Sequence, residues 1–129
     1  MMNIYLAGGM RSEWRDRVKS EVPNHTYFDP ADKEANEMNW TLDMFGSWDL
    51  HHIRQSDVVF GYMERTNPSG IGMSCEHGYA FGLDVTVILV LEKDHETMKD
   101  RYLDFLRKVA HITFDNLQDG IEYLKTFKP

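Results

Sequence analysis

The sequence predicts an α/β fold built on a five-stranded parallel sheet, on three observations. Short apolar runs alternate along the chain with stretches whose apolar and charged residues recur at helical spacing. The run at 85–91 is apolar apart from Thr86, as a strand must be when helices cover both of its faces. The first apolar run ends in Gly8-Gly9, and the turn signal Asn67-Pro68-Ser69-Gly70 follows the third. Five strand–helix repeats imply right-handed crossovers and a flavodoxin-like, Rossmann-like three-layer sandwich with strand order 2-1-3-4-5. One domain spanning 1–129 accounts for the whole chain, which shows no repeat, low-complexity tract or linker.

The elements follow in order. Ile4-Tyr5-Leu6-Ala7 is a buried strand delivered into a tight glycine turn, and residues 12–22 carry Trp14 and Val18 at helical spacing. A brief strand at 26–28 ends at Asp29-Pro30, and the polar residues 31–39 read as a surface loop or irregular helix. Residues 40–55 are helical, in two pieces broken near Gly46-Ser47, and lead into a strand at 57–63. Residues 71–83 form a helix whose glycines permit close packing on the sheet. The strand at 85–91 follows, then an amphipathic helix at 96–109, a short strand at 111–114 and a last helix at 116–127.

Composition narrows the function classes. With 42% hydrophobic residues the chain can bury a core without disulfides or a structural metal, and a single cysteine, Cys75, excludes an internal disulfide. A reducing cytoplasm is the expected compartment. Neither a signal-type start nor a membrane-length apolar run is present, so a soluble, unprocessed protein with no membrane partner is expected. A net charge of −7 argues against a polymeric nucleic-acid partner, because such interfaces gather excess Lys and Arg.

In a doubly wound sheet, ligands bind beyond the carboxyl ends of the strands at the switch point between strands 1 and 3. Three features converge there: Tyr5 with Gly8-Gly9, Asp49 from the helix before strand 3, and the segment 69–80 after it. Glu76 falls in the early turns of the helix opening at Gly70, where the helix dipole favours a carboxylate, so it is expected to be ionised. Asp49 reads as a charge near a helix start after Ser47 or as a buried acid. Tyr5 reads equally as an ordinary core tyrosine. Ser69 with the backbone amides at the helix start makes an anion nest, or a plain turn and cap. His51-His52 and His77 point in different directions from their carboxylate neighbours, so no metal site is expected. Cys75 is expected to face the sheet and be inert. Trp40 and Trp48 read as core residues or, being close to Asp49 in sequence, as candidate stacking platforms for a ligand.

Taken together, Ile4-Tyr5-Leu6-Ala7-Gly8-Gly9, Asp49-Leu50 with Ile53, Ser56-Asp57-Val58-Val59, Gly70-Ile71-Gly72-Met73 and Glu76-His77-Gly78-Tyr79-Ala80 resemble the nucleoside 2-deoxyribosyltransferase family. The resemblance covers most of the chain as far as Leu91. It implies that Glu76 attacks the anomeric carbon of a nucleoside, that Asp49 helps protonate the departing base, and that Tyr5 orients the nucleophile. A second base or water then takes the sugar. Gly8, Gly9, Met10, Asn67, Ser69, Gly70, Gly72 and Met73 are the substrate-binding residues expected from it. No cofactor is implied; the partners are a nucleoside or nucleotide and a free nucleobase. Family members commonly complete their sites with a neighbouring subunit, so a homodimer or larger homo-oligomer is expected.

Two alternatives stay open. Ser69 as a phosphate ligand resembles the related deoxynucleoside 5′-monophosphate N-glycosidases, which hydrolyse nucleotides. A nucleotide-binding module without turnover would also keep the fold. The sequence departs from the transferase pattern where Ser74-Cys75 lengthens the loop before Glu76, leaving Asn67 or Ser69 to grip the sugar hydroxyls.

Overall fold

The computed structural model describes residues 1–10, 12–67, 70–92 and 100–129. Five strands, β1 (Asn3–Gly8), β2 (Thr26–Phe28), β3 (Val58–Met63), β4 (Thr86–Leu91) and β5 (Ile112–Phe114), form one parallel sheet in the order β2-β1-β3-β4-β5. This is the expected flavodoxin-like, Rossmann-like arrangement, with the switch point between β1 and β3. The helices are α1 (Trp14–Glu21), α2 (Pro30–Asn36), α3 (Leu42–Arg54), α4 (Ile71–Gly82), α5 (Asp100–Leu103) and α6 (Leu117–Thr126). No helix among the described residues is long and apolar enough to cross a membrane.

One open reading is resolved and two expectations need correction. The polar stretch after β2 is a helix with a defined start: Asp29 accepts a hydrogen bond from the Ala31 amide at 2.8 Å, and Pro30 occupies the first turn, where its missing N–H costs nothing. Gly46-Ser47 does not break α3, which begins at the Thr41 cap and runs unbroken to Arg54. An interior glycine costs about 1 kcal/mol, too little to interrupt a 13-residue helix. The helix expected at 96–109 is in its described part a single turn, α5, followed by 3-10 geometry over Asp104–Val109. Residues 93–99 lie outside the described residues.

Side-chain alternation along the strands divides the core in two. Ile4, Leu6, Val58, Phe60, Ile88 and Val90 face one way and pack against Trp14 and Val18 of α1 and Ile121 and Leu124 of α6. Tyr5, Ala7, Val59, Met63, Val87 and Leu89 face the other way and pack against Ile53 of α3, Met73 and Ala80 of α4, and Leu103. Tyr5 therefore lies on the side of the sheet that α3 and α4 cover.

The close approach of α4 to the sheet comes from the strand, contrary to expectation. A Cβ on Gly72, Gly78 or Gly82 would meet nothing within 4 Å, whereas one on Gly61 would sit 2.0 Å from His77 Nε2. The His77 ring thus fills the notch that Gly61 leaves in β3. The ring is fully buried, and neither nitrogen has a hydrogen-bond partner among the described residues. Burial depresses its pKa to about 4, so it is neutral at pH 7.

Candidate active site

The carboxyl ends of β1 and β3 open into a cavity of about 420 Å³. Its walls include Gly8, Gly9 and Met10 after β1, Glu34 of α2, Gly46 and Asp49 of α3, Asn67, and Gly70, Gly72, Met73, Cys75 and Glu76 at the start of α4. Residues expected from distant parts of the sequence are thereby gathered in one place. Tyr5 stands behind the wall and reaches it through its hydroxyl, which donates a hydrogen bond to Glu76 Oε2. Ser69 lies outside the described residues.

Backbone conformation shapes both glycine turns. Gly8 has φ +147°, and a Cβ there would lie 2.4 Å from the Tyr62 carbonyl oxygen. Gly70 caps α4 at φ +139° against the Met63 side chain. Left-handed backbone and close packing together require glycine at both places.

The loop after β1 is held from behind by Arg15, a buried cation in the first turn of α1. Its Nη1 donates to the Gly9 carbonyl at 2.5 Å and its Nη2 to that of Gly8 at 3.0 Å, while Nε lies 3.1 Å from Asp29 Oδ1 as an ion pair without hydrogen-bond alignment. Trp14 Nε1 adds a bond to the Gly9 carbonyl at 2.9 Å. Lys19 closes the network on Asp29 at 2.7 Å and on Asp32 at 2.9 Å. Asp29 thus caps α2 and neutralises Arg15 at once, which positions α2 against the β1 turn.

Electrostatics inside the cavity follow from burial. Glu76 is pushed up to about 7, first by loss of solvent; the Tyr5 hydrogen bond opposes this, Asp49 adds to it, and Arg15 lowers it. The expectation that the helix dipole keeps Glu76 fully ionised is therefore corrected. Glu76 is the sixth residue of α4, beyond the first turn where the dipole acts, and desolvation outweighs it. Asp49 is likewise raised to about 6 by burial, against the lowering effect of Tyr5. Burial and the Glu76 charge hold the Tyr5 phenol protonated. Its one proton goes to Glu76, and Asp49 lies close enough to the same hydroxyl to interact with it.

Asp49 is not a charge at a helix start, because α3 begins at Leu42 and places it mid-helix. Cys75 is exposed on the cavity wall and does not face the sheet. Trp40 and Trp48 line a separate groove of about 660 Å³ with Met44, His51 and His52, away from Glu76. Among the described residues no three His, Cys, Asp or Glu side chains gather as a metal ion would need. Sequence reasoning missed Arg15, Glu34 and Gly46. Arg15 was open to inference, since a cation in the first turn after β1 borders the switch point. Glu34 was not, because residues 31–39 read as a surface loop or irregular helix with no defined face.

No protein-family model matches the chain, and no curated protein matches it. Among solved structures, a conserved protein from Enterococcus faecalis V583 is similar, with a TM-score of 0.70 and 16% sequence identity, over 97% of this chain and 98% of that one. At that identity the likeness concerns the fold.

Proposed function

We propose that this protein is an enzyme that cleaves the N-glycosidic bond of nucleosides through a covalent glycosyl-Glu76 intermediate and passes the sugar to a second base. The observation that carries the reading is the Tyr5–Glu76 hydrogen bond at the edge of a cavity that Asp49 shares. A carboxylate held on a phenol can approach an anomeric carbon, and a second carboxyl of raised pKa can supply a proton, which is the division of labour that glycosyl transfer needs.

A Glu76 carboxylate oxygen forms a bond to C1′ as the C1′–N bond breaks, and its electron pair leaves with the base. Asp49 delivers its proton to the base. In the second half an acceptor base nitrogen attacks C1′, Glu76 departs as carboxylate, and Asp49 takes the proton the acceptor releases. Gly8, Gly9, Met10, Asn67, Gly70, Gly72 and Met73 wall the space around the sugar. A homodimer or larger homo-oligomer belongs to the same reading, supported by the outward-facing Met38, Leu42 and Met44 on and beside α3.

The test is incubation with deoxynucleosides and their 5′-monophosphates, with and without a second free base, followed by chromatography and intact-mass analysis. A new nucleoside formed only with acceptor, and a sugar adduct on the protein that Glu76→Ala abolishes, are the expected results. Base release from monophosphates alone would replace transfer by hydrolysis. Near-native turnover by Glu76→Ala would refute the mechanism.

A further inference from the structure

Among the described residues, Glu34 is the one carboxylate of the cavity wall to which the mechanism gives no task. It projects from α2, whose start is fixed by Asp29, Arg15 and Lys19, and its side chain is exposed. Among the described residues it makes no hydrogen bond and no ion pair. Two described cations of α1 and α2 are engaged elsewhere: Lys33 pairs with Glu37 at 3.3 Å and lies 4.4 Å above the Trp40 ring, and Arg15 is held by Asp29 and the glycine carbonyls. Glu34 thus presents to the cavity a carboxylate with no donor among the described residues.

Its place within the cavity can be read from its neighbours. It stands on α2, which packs against α3, the helix that bears Asp49, and both side chains line the cavity, whereas Glu76 comes from α4. Asp49 attends the base and Glu76 the sugar, so Glu34 stands at the base end. A carboxylate accepts hydrogen bonds and donates none. An exocyclic amino group facing it forms a charge-assisted bond, while an oxo group in the same place sets lone pairs against lone pairs.

We propose that Glu34 selects the base, favouring nucleosides whose base carries an exocyclic amino group over their oxo or unsubstituted counterparts. The proposal rests on the glycosyl-transfer reading for the identity of the ligand. Guanine fits best, since its ring N–H and neighbouring amino group form a pair of donors that the two carboxylate oxygens can accept together.

The experiment uses two matched pairs, 2′-deoxyguanosine against 2′-deoxyinosine and 2′-deoxycytidine against 2′-deoxyuridine. Both kcat/KM and equilibrium binding by calorimetry are measured for the parent protein, Glu34→Gln and Glu34→Ala. The parent should favour the amino member by about tenfold, the lower end of the discrimination expected of a charge-assisted bond at a partly solvated site. Both variants should bring the ratio close to one. A purely structural role for Glu34 would lower both members alike and leave the ratio unchanged. Turnover with a ratio indifferent to Glu34 overturns the proposal and leaves the glycosyl-transfer reading standing. Binding that keeps a Glu34-dependent amino preference without any turnover supports the proposal and sinks the catalytic reading. Neither binding nor turnover overturns both.

Discussion

Replacing Glu76 by Gln should make the protein more stable, and the gain should grow with pH. Gln keeps the volume and an acceptor for the Tyr5 hydroxyl but removes the charge that burial opposes. Glu76 rises from an ordinary glutamate value of 4.5 to about 7 in the folded protein. A carboxyl raised in this way binds its proton more tightly when folded. Its favourable contribution is complete below pH 4.5 and is lost as pH climbs through 7. A displacement of about 2.5 on the pH scale, at ~1.4 kcal/mol each, gives ~3 kcal/mol of destabilisation at pH 8 and less than ~1 kcal/mol at pH 5. Urea unfolding followed by tryptophan fluorescence, on parent and Glu76→Gln at both pH values, reads this directly. The variant should be more stable by ~3 kcal/mol at pH 8 and nearly level at pH 5. Equal stabilities at pH 8 would mean that burial does not hold Glu76 against its charge, and the account of its raised pKa would fall.

Further outcomes are expected of the same site and its supports. If Asp49 must be protonated and Glu76 ionised, kcat/KM should trace a bell with limbs near pH 6 and 7, values that belong to the coupled pair; Asp49→Asn should remove the alkaline limb from whatever activity remains. His77, depressed from 6.5 to about 4, contributes stability that is complete above pH 6.5 and lost as pH falls through 4. His77→Leu should therefore gain ~2 kcal/mol relative to the parent when denaturation is moved from pH 8 to pH 5. Gly46→Ala should raise stability by about 0.5–1 kcal/mol in thermal or urea melts, since a Cβ there meets nothing within 4 Å, while Gly46→Leu should raise KM by filling the cavity.

What the sequence made legible was the sheet and the residues at its carboxyl edge. The apolar runs of β1, β3 and β4 are long enough, and sufficiently bounded by Gly and Asn-Pro signals, for period and punctuation to agree. Strand alternation then decides that Tyr5 faces α4, so Tyr5 and Glu76 meet although 71 positions separate them. Properties set by tertiary surroundings were hidden. The charge state of Glu76 depends on how much water the cavity admits, which helix position alone does not reveal. Cys75 was expected to face the sheet, but His77 against Gly61 is what seats α4, and that rotation leaves Cys75 exposed. Residues 31–39 stayed undecided between loop and irregular helix because the stability of α2 comes from the Asp29 cap and the Arg15 and Lys19 contacts, not from an apolar stripe.

Arg15 gives the cavity a property that no other residue of its wall confers. Because one guanidinium holds the carbonyls of Gly8 and Gly9 as well as the side chain that begins α2, the loop and the helix form a single component. Neither can be exchanged in isolation: altering the glycine turn leaves a buried cation short of acceptors, and altering Asp29 leaves it short of a counter-charge. Grafting this cavity onto another parallel sheet would require Gly8, Gly9, Arg15 and Asp29 to travel as one block, and natural drift at any of the four is constrained by the other three.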